Sequence, residues 1–398
     1  MPSRFLRRLV TAALLGLLLL ASNVEALECD PGICAGNPCT IHGFHSFEPF
    51  CELDFTGKDV TLAPNGGLVS NGFGVLVIVA RSLEVQGSIE AGGSYLEIDT
   101  DGDFITKRGR QGPGSLLGTL GSQITINAGG NVLLDGTIFQ SLGPSPSVCI
   151  MANDIHVDSW ILITTNDEGS SLELMAAGSI TVTRPVTMID GPFAGPIIGF
   201  EAGGDITIDS PINMSGPSGD FEANAGGTLS VNGPMTFLDT AFGGSPTALL
   251  TGQNISIQNK VIAKAAATAP DQGTIDVEAG QGNFLQNGGN VQIGGTLDVT
   301  AQGNGFSDGF VTVNACNLTV NGNLKAGANG GIALSYLGTF DATGGSLRSG
   351  TNEIACRCLD ANNDGRCDGS CVNPPVGLDP RKIKPSATIQ PFASAACS

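Results

Sequence analysis

Nine times in this 398-residue chain an aliphatic residue is followed by another two positions on and by a third apolar residue six positions on. The trios start at Leu83, Val132, Ile155, Ile180, Ile206, Leu229, Ile255, Val291 and Leu318, so the steps are 49, 23, 25, 26, 23, 26, 36 and 27 residues. Most steps are one unit of about 25 and the first is close to two; a fixed period in this range is the mark of a solenoid. The two-residue offset is strand alternation, which sends both side chains to one face. The offset of four to the third residue spans a corner, where Gly87, Gly136, Gly233, Gly295 and Gly322 stand in five copies. Glycine tolerates positive φ and suits a turn between very short strands. A further apolar strand runs upstream of many starts, as in Ile124-Thr125-Ile126-Asn127-Ala128. Each unit thus reads as three short strands and three turns.

One such unit has no partner face for its apolar side chains, and stacking coil on coil supplies one. The column Ile138, Ile161, Val186, Ile212, Met235, Val261, Leu297, Leu324 is the expected interior stack. Eleven or twelve coils at about 4.8 Å each predict a rod of about 50 Å. Parallel crossovers are right-handed, so the expected fold is an all-β, right-handed parallel β-helix. A leucine-rich repeat shares the period but needs a Leu-x-x-Leu-x-Leu frame that this chain lacks.

Ala128-Gly129-Gly130-Asn131-Val132, Ala202-Gly203-Gly204-Asp205-Ile206 and Ala225-Gly226-Gly227-Thr228-Leu229 resemble the repeats of filamentous-haemagglutinin-like secreted β-helices, within the pectin-lyase-like group. The resemblance covers residues 53 to 348. It implies the fold, and an architecture that hosts adhesins, tailspikes and polysaccharide lyases alike.

Residues 1 to 26 read as a secretory signal: Arg4, Arg7 and Arg8, an apolar run from Leu9 to Leu20, and Val24-Glu25-Ala26 as cleavage site. The apolar run is too short for a membrane span. The expected localisation is secreted, extracellular or cell-surface, with the periplasm as the other exported compartment. The net charge is −19, and removing Arg4, Arg7, Arg8 and Glu25 takes it to −19 − 2 = −21. That charge argues against nucleic acid or an anionic membrane as partner and leaves an extracellular polysaccharide or protein.

Eleven cysteines in an exported chain imply disulfides. Cys29, Cys34, Cys39 and Cys51 precede the repeats, and Cys356, Cys358, Cys367, Cys371 and Cys397 follow them, where a solenoid needs caps over its open ends. The expected caps are residues 27–52 and 349–398. Cys316 can make the C-terminal group even. Cys149 lies about seven coils away from it, beyond the reach of a bond that needs Cα atoms within about 7 Å, and is expected to be a free thiol.

The most specific local motif is Asp360-Ala361-Asn362-Asn363-Asp364-Gly365-Arg366-Cys367-Asp368. Oxygens at alternate positions converge on one centre while the sixth-position glycine allows the sharp turn, so Asp360, Asn362, Asp364, Arg366 and Asp368 are candidate calcium ligands. The motif resembles the loops of EF-hands, dockerins and thrombospondin type 3 repeats; it departs from an EF-hand at Cys371, which replaces the bidentate Glu, and the flanking cysteines make a disulfide-braced, thrombospondin-like calcium turn the more natural reading, with a solvated acidic turn as the alternative. Glu97, Asp99, Asp101 and Asp103, followed by Lys107, Arg108 and Arg110, are the best catalytic candidates, because lyases of this fold combine carboxylates with a cation near the sugar. The same stretch fills the 49-residue step and also reads as an irregular loop. His42 and His45 sit among N-terminal cysteines better suited to disulfides than to zinc. Trp160, at a corner, is an isolated surface aromatic or a sugar platform, and His156 points outward by alternation. The leading expectation is a non-catalytic structural or adhesive rod, and the alternative is a carbohydrate-active lyase or hydrolase.

Overall fold

A computed structural model of the chain describes residues 27–393 except 30, 73, 92–94, 110–111, 114, 120–122, 136–138, 143–144, 166–168, 241–243, 267–272, 281–288, 302–308 and 359–369. Alternation and period produce the expected parallel β-solenoid. Each coil has a first strand of about six residues, a second of three or four, and a third of similar length, as in Ser147–Ala152, Ile155–Asp158 and Ile161–Thr164. First and second strands join into a 26-stranded sheet across a shallow bend, and third strands form a separate 14-stranded sheet. Fourteen strands at about 4.8 Å make a rod of about 60 Å.

Register decides what fills the interior. Ile161, Val186, Ile212, Met235, Val261, Leu297 and Leu324 pair in succession, and the column runs on to Leu347 and Ile383. At its other end the residue opposite Ile161 is Phe139, not Ile138. Ile138, the expected third member of the trio at Val132, lies outside the described residues. Val148, Ile150, Ile155, Val157, Ile161 and Ile163 are each at most 1% exposed, so one coil alone points six side chains into the interior. Phe221 stacks on Phe237 with centroids 5.3 Å apart and meets Phe200 edge-on at 5.6 Å. Aromatic pairs therefore fill the middle of the rod where neighbouring inward positions shrink to Ala223 and Ala225.

The 49-residue step contains a complete further coil, Tyr95–Thr100, Phe104–Thr106 and Ser115–Thr119. Phe104 and Thr106 occupy the two inward positions that most other coils fill with aliphatic residues, and both are fully buried. Thr106 tolerates this because its Oγ1 accepts a hydrogen bond from the Asp135 amide at 3.1 Å. Its third strand comes later because the hairpin pair Arg108–Gly109 and Gly112–Pro113 is inserted at the corner.

The glycines have a different cause from the one expected. Gly87, Gly233, Gly295 and Gly322 do not have positive φ; a Cβ at each would collide with backbone of the preceding coil, such as the Ser210 carbonyl beneath Gly233. The Ala-Gly-Gly strings answer to the same crowding at the first corner, where a Cβ on Gly203 would strike the Ala177 carbonyl and one on Gly227 the Asp205 carboxylate. Those carboxylates are needed there: Asp103, Asp154 and Asp205 accept from the amides of Asn131, Ser179 and Thr228 at 2.8, 2.6 and 2.6 Å, tying each coil to the next.

Disulfides close both ends. Cys29–Cys51 and Cys34–Cys39 pin the first residues, where Leu27–Glu28 pairs in parallel with Cys51–Leu62. Cys356–Cys371 fastens the last turns, and Cys316 and Cys358 are disulfide-bonded as well. Thr388–Ala393 adds a strand on Thr351–Cys358, latched nearby by Tyr336 Oη donating to the Asn373 carbonyl at 2.7 Å. Among the described residues Cys149 is the free cysteine. No helix of the described residues is long and apolar enough to cross a membrane.

Candidate functional site

In Tyr95–Thr100 alternation buries Leu96 and Ile98 completely and turns Tyr95, Glu97 and Asp99 outward. Glu97 and Asp99 thus lie on a regular strand, not on an irregular loop. Parallel register sets Thr125 and Asn127 beside them on the next coil, and Cys149 and Met151 on the one after. An open cleft of about 480 Å³ follows, lined by Val79, Asp99, Thr100, Asp101, Asn127, Ala128, Gly129, Met151 and Ala152. Asn127 Nδ2 donates to Asp99 Oδ1 at 2.7 Å, while Asn127 Oδ1 is buried without a partner among the described residues. Tyr95 Oη donates to Thr125 Oγ1 at 3.3 Å. Burial, reinforced by the neighbouring Asp99 charge, raises the Glu97 pKa above the usual carboxylate value.

Lys107 and Arg108 do not join these carboxylates. Lys107 Nζ lies 2.7 Å from Glu84 Oε2, and Arg108 Nε lies 3.8 Å from Asp135 Oδ1. Glu84 and Asp135 belong to the neighbouring second-strand positions, beyond the corner from the cleft. Arg110 lies outside the described residues. The arrangement can accept hydrogen bonds from hydroxyls and attract cations; among the described residues no lyase-like pairing of carboxylate and cation is assembled in it. Asn127 and Met151 carry no motif, and only superposing the repeats in register would have marked them.

The Asp360, Asn362, Asp364, Arg366 and Asp368 loop lies outside the described residues. Its two flanks are drawn together by the Cys356–Cys371 disulfide, with Cα atoms 5.6 Å apart, and by an isolated antiparallel backbone β-bridge between residues 358 and 371. Among the described residues no group of three or more His, Cys, Asp or Glu could hold a metal ion. His42 Nδ1 lies 3.3 Å from Asn65 Oδ1, and His45 Nε2 donates to the His42 carbonyl at 2.9 Å. Trp160 is 66% exposed at its corner and His156 is half-buried. Burial, with a smaller push from Glu173, moves the Cys149 thiol up to about 11, so it is protonated and unreactive at neutral pH.

Charge is sorted by face. From Tyr95–Thr100 to Gly331–Tyr336 the first strands contain no lysine or arginine. Outward along them stand Glu173 and Glu222 in one column with Cys149, and Glu201 and Glu278 in the column beside it. The third-strand sheet carries Lys325, Arg348 and Lys384 directly opposite one another on three successive coils.

Comparison with protein-family models, with curated proteins and with solved structures found no match to this chain.

Proposed function

We propose that this chain is an exported, non-catalytic rod with a structural or adhesive role at a cell surface or in the extracellular medium. The observation that carries the reading is the unbroken parallel stacking from Leu27–Glu28 to Thr388–Ala393, closed by disulfides at both ends. Such a stack is stiff along its axis and presents the same outward positions coil after coil, which suits a repetitive extracellular polysaccharide or protein partner. The resemblance of the Ala-Gly-Gly repeats to haemagglutinin-like secreted β-helices and the signal-like residues 1–26 support export. Separation of Lys107 and Arg108 from Glu97 and Asp99 weighs against a lyase. Incubation with a panel of plant and microbial polysaccharides tests the reading: unchanged polymer is expected, and new reducing or unsaturated ends would overturn it.

Calcium held by the side chains of Asp360, Asn362, Asp364 and Asp368 and the backbone carbonyl of Arg366 would brace the C-terminal end beside Cys356–Cys371. Calorimetry should record Ca²⁺ binding in the parent protein and none in the Asp360→Ala, Asp364→Ala double variant. Equal heats from the two proteins would remove calcium from the reading.

A further inference from the structure

Lys325, Arg348 and Lys384 are stacked on neighbouring strands of one sheet, and none has a side-chain hydrogen bond or ion pair among the described residues. The carboxylate next in the column, Asp298, is already engaged by Lys264 at 3.2 Å and by Thr300. Like charges directly opposite on a sheet repel, so three in a row stand in an unfavourable arrangement that an anion would relieve. The first-strand face has the complementary form: Glu173, Glu201 and Glu222 give one outward carboxylate on each of three successive coils. Along the rod axis both sets rise by the strand spacing of about 4.8 Å per coil, the cations in one column and the carboxylates alternating between two adjacent columns.

We propose that the Lys325–Arg348–Lys384 ladder docks on the carboxylate face of a second copy of this chain. Two rods lying side by side bring one cation and one carboxylate into step per coil along the rod axis, with the long side chains taking up the two-residue stagger of Glu201 from the Glu173 and Glu222 column; a partner of another period would not have this match. The contact joins different surfaces of the two copies, so each docked copy leaves a further ladder and a further face open, and the rods add into an extended array. Repulsion between the strongly acidic rods as wholes acts over longer distances and is screened beyond about 8 Å at physiological salt, whereas contacting pairs lie inside that length. The inference rests on the rod reading for its biological sense, yet polysaccharide cleavage would sink that reading and leave the association untouched.

Sedimentation velocity on the disulfide-intact protein is the test. A faster species that grows with concentration at 0.15 M NaCl and disappears at 1 M NaCl is expected. Lys325→Glu with Arg348→Glu and Lys384→Glu should sediment as a monomer, as should Glu173→Lys with Glu201→Lys and Glu222→Lys. Mixing the two triple variants should restore the faster species. Arg348→Glu alone, at an exposed position, should shift the association to higher concentration if the first triple variant folds poorly. A parent protein monomeric under all conditions would overturn the proposal, as would association that survives charge reversal. A monomer that instead binds dextran sulfate through the same three residues would assign the ladder to a polyanion.

Discussion

Ile212→Asp probes the dry interior on which the architecture depends. Ile212 is fully buried between Val186 and Met235 in adjacent coils. Truncating such a residue costs about 2–5 kcal/mol, and coils pinned above and below leave little room for collapse. A carboxylate there either stays ionised, at several kcal/mol, or takes up a proton. Raising its pKa from near 4 to above 7 costs about 4 kcal/mol at 1.36 kcal/mol per unit. The sum of about 6–9 kcal/mol is comparable to the whole stability of an ordinary domain, and in a solenoid it falls on the coil interfaces that hold the stack together. Thr207→Asp, five residues earlier and half-exposed between Thr181 and Ser230, should cost under about 1 kcal/mol. Soluble yield and urea unfolding of the two variants check this: Ile212→Asp should give no soluble folded protein and Thr207→Asp a near-parental midpoint. Equal behaviour of the pair would refute the face assignment.

Two glycines of one coil should respond in opposite directions. Gly203→Ala forces a Cβ against the Ala177 carbonyl and should lower stability by about 1–3 kcal/mol, whereas Gly199→Ala meets only Glu173 Cγ at 3.8 Å and should raise it by about 0.5–1 kcal/mol; urea midpoints measure both. Because burial and Asp99 raise the Glu97 pKa, the native state holds that proton more tightly than the unfolded chain. Stability from Glu97 is therefore present below its ordinary value of 4.5 and is lost as pH rises through the folded value. Glu97→Gln should melt higher than the parent at pH 7 and lose that advantage at pH 4; a pH-independent difference would contradict the cause given. Cys149 should resist iodoacetamide at pH 8 in the native protein and react in urea, and rapid native alkylation would show that its burial is wrong.

The repeat, the strand alternation and the filled interior are all legible in the chain before it folds, because an inward column reveals itself as a recurring apolar trio. The sequence also marked the free Cys149 and the cysteine clusters at the two ends. The coil carrying Phe104 and Thr106 escaped the pattern: its inward residues in the second strand are aromatic and hydroxylated, and the buried Thr106 hydroxyl accepts from the neighbouring Asp135 amide. The role of the corner glycines was likewise decided in three dimensions, since the obstruction each avoids belongs to a coil more than twenty residues away. The cleft beside Asp99 and the two charged ladders exist only through register. Residues 99, 127 and 151, or 325, 348 and 384, are unrelated along the chain, and parallel pairing at one strand spacing makes them neighbours.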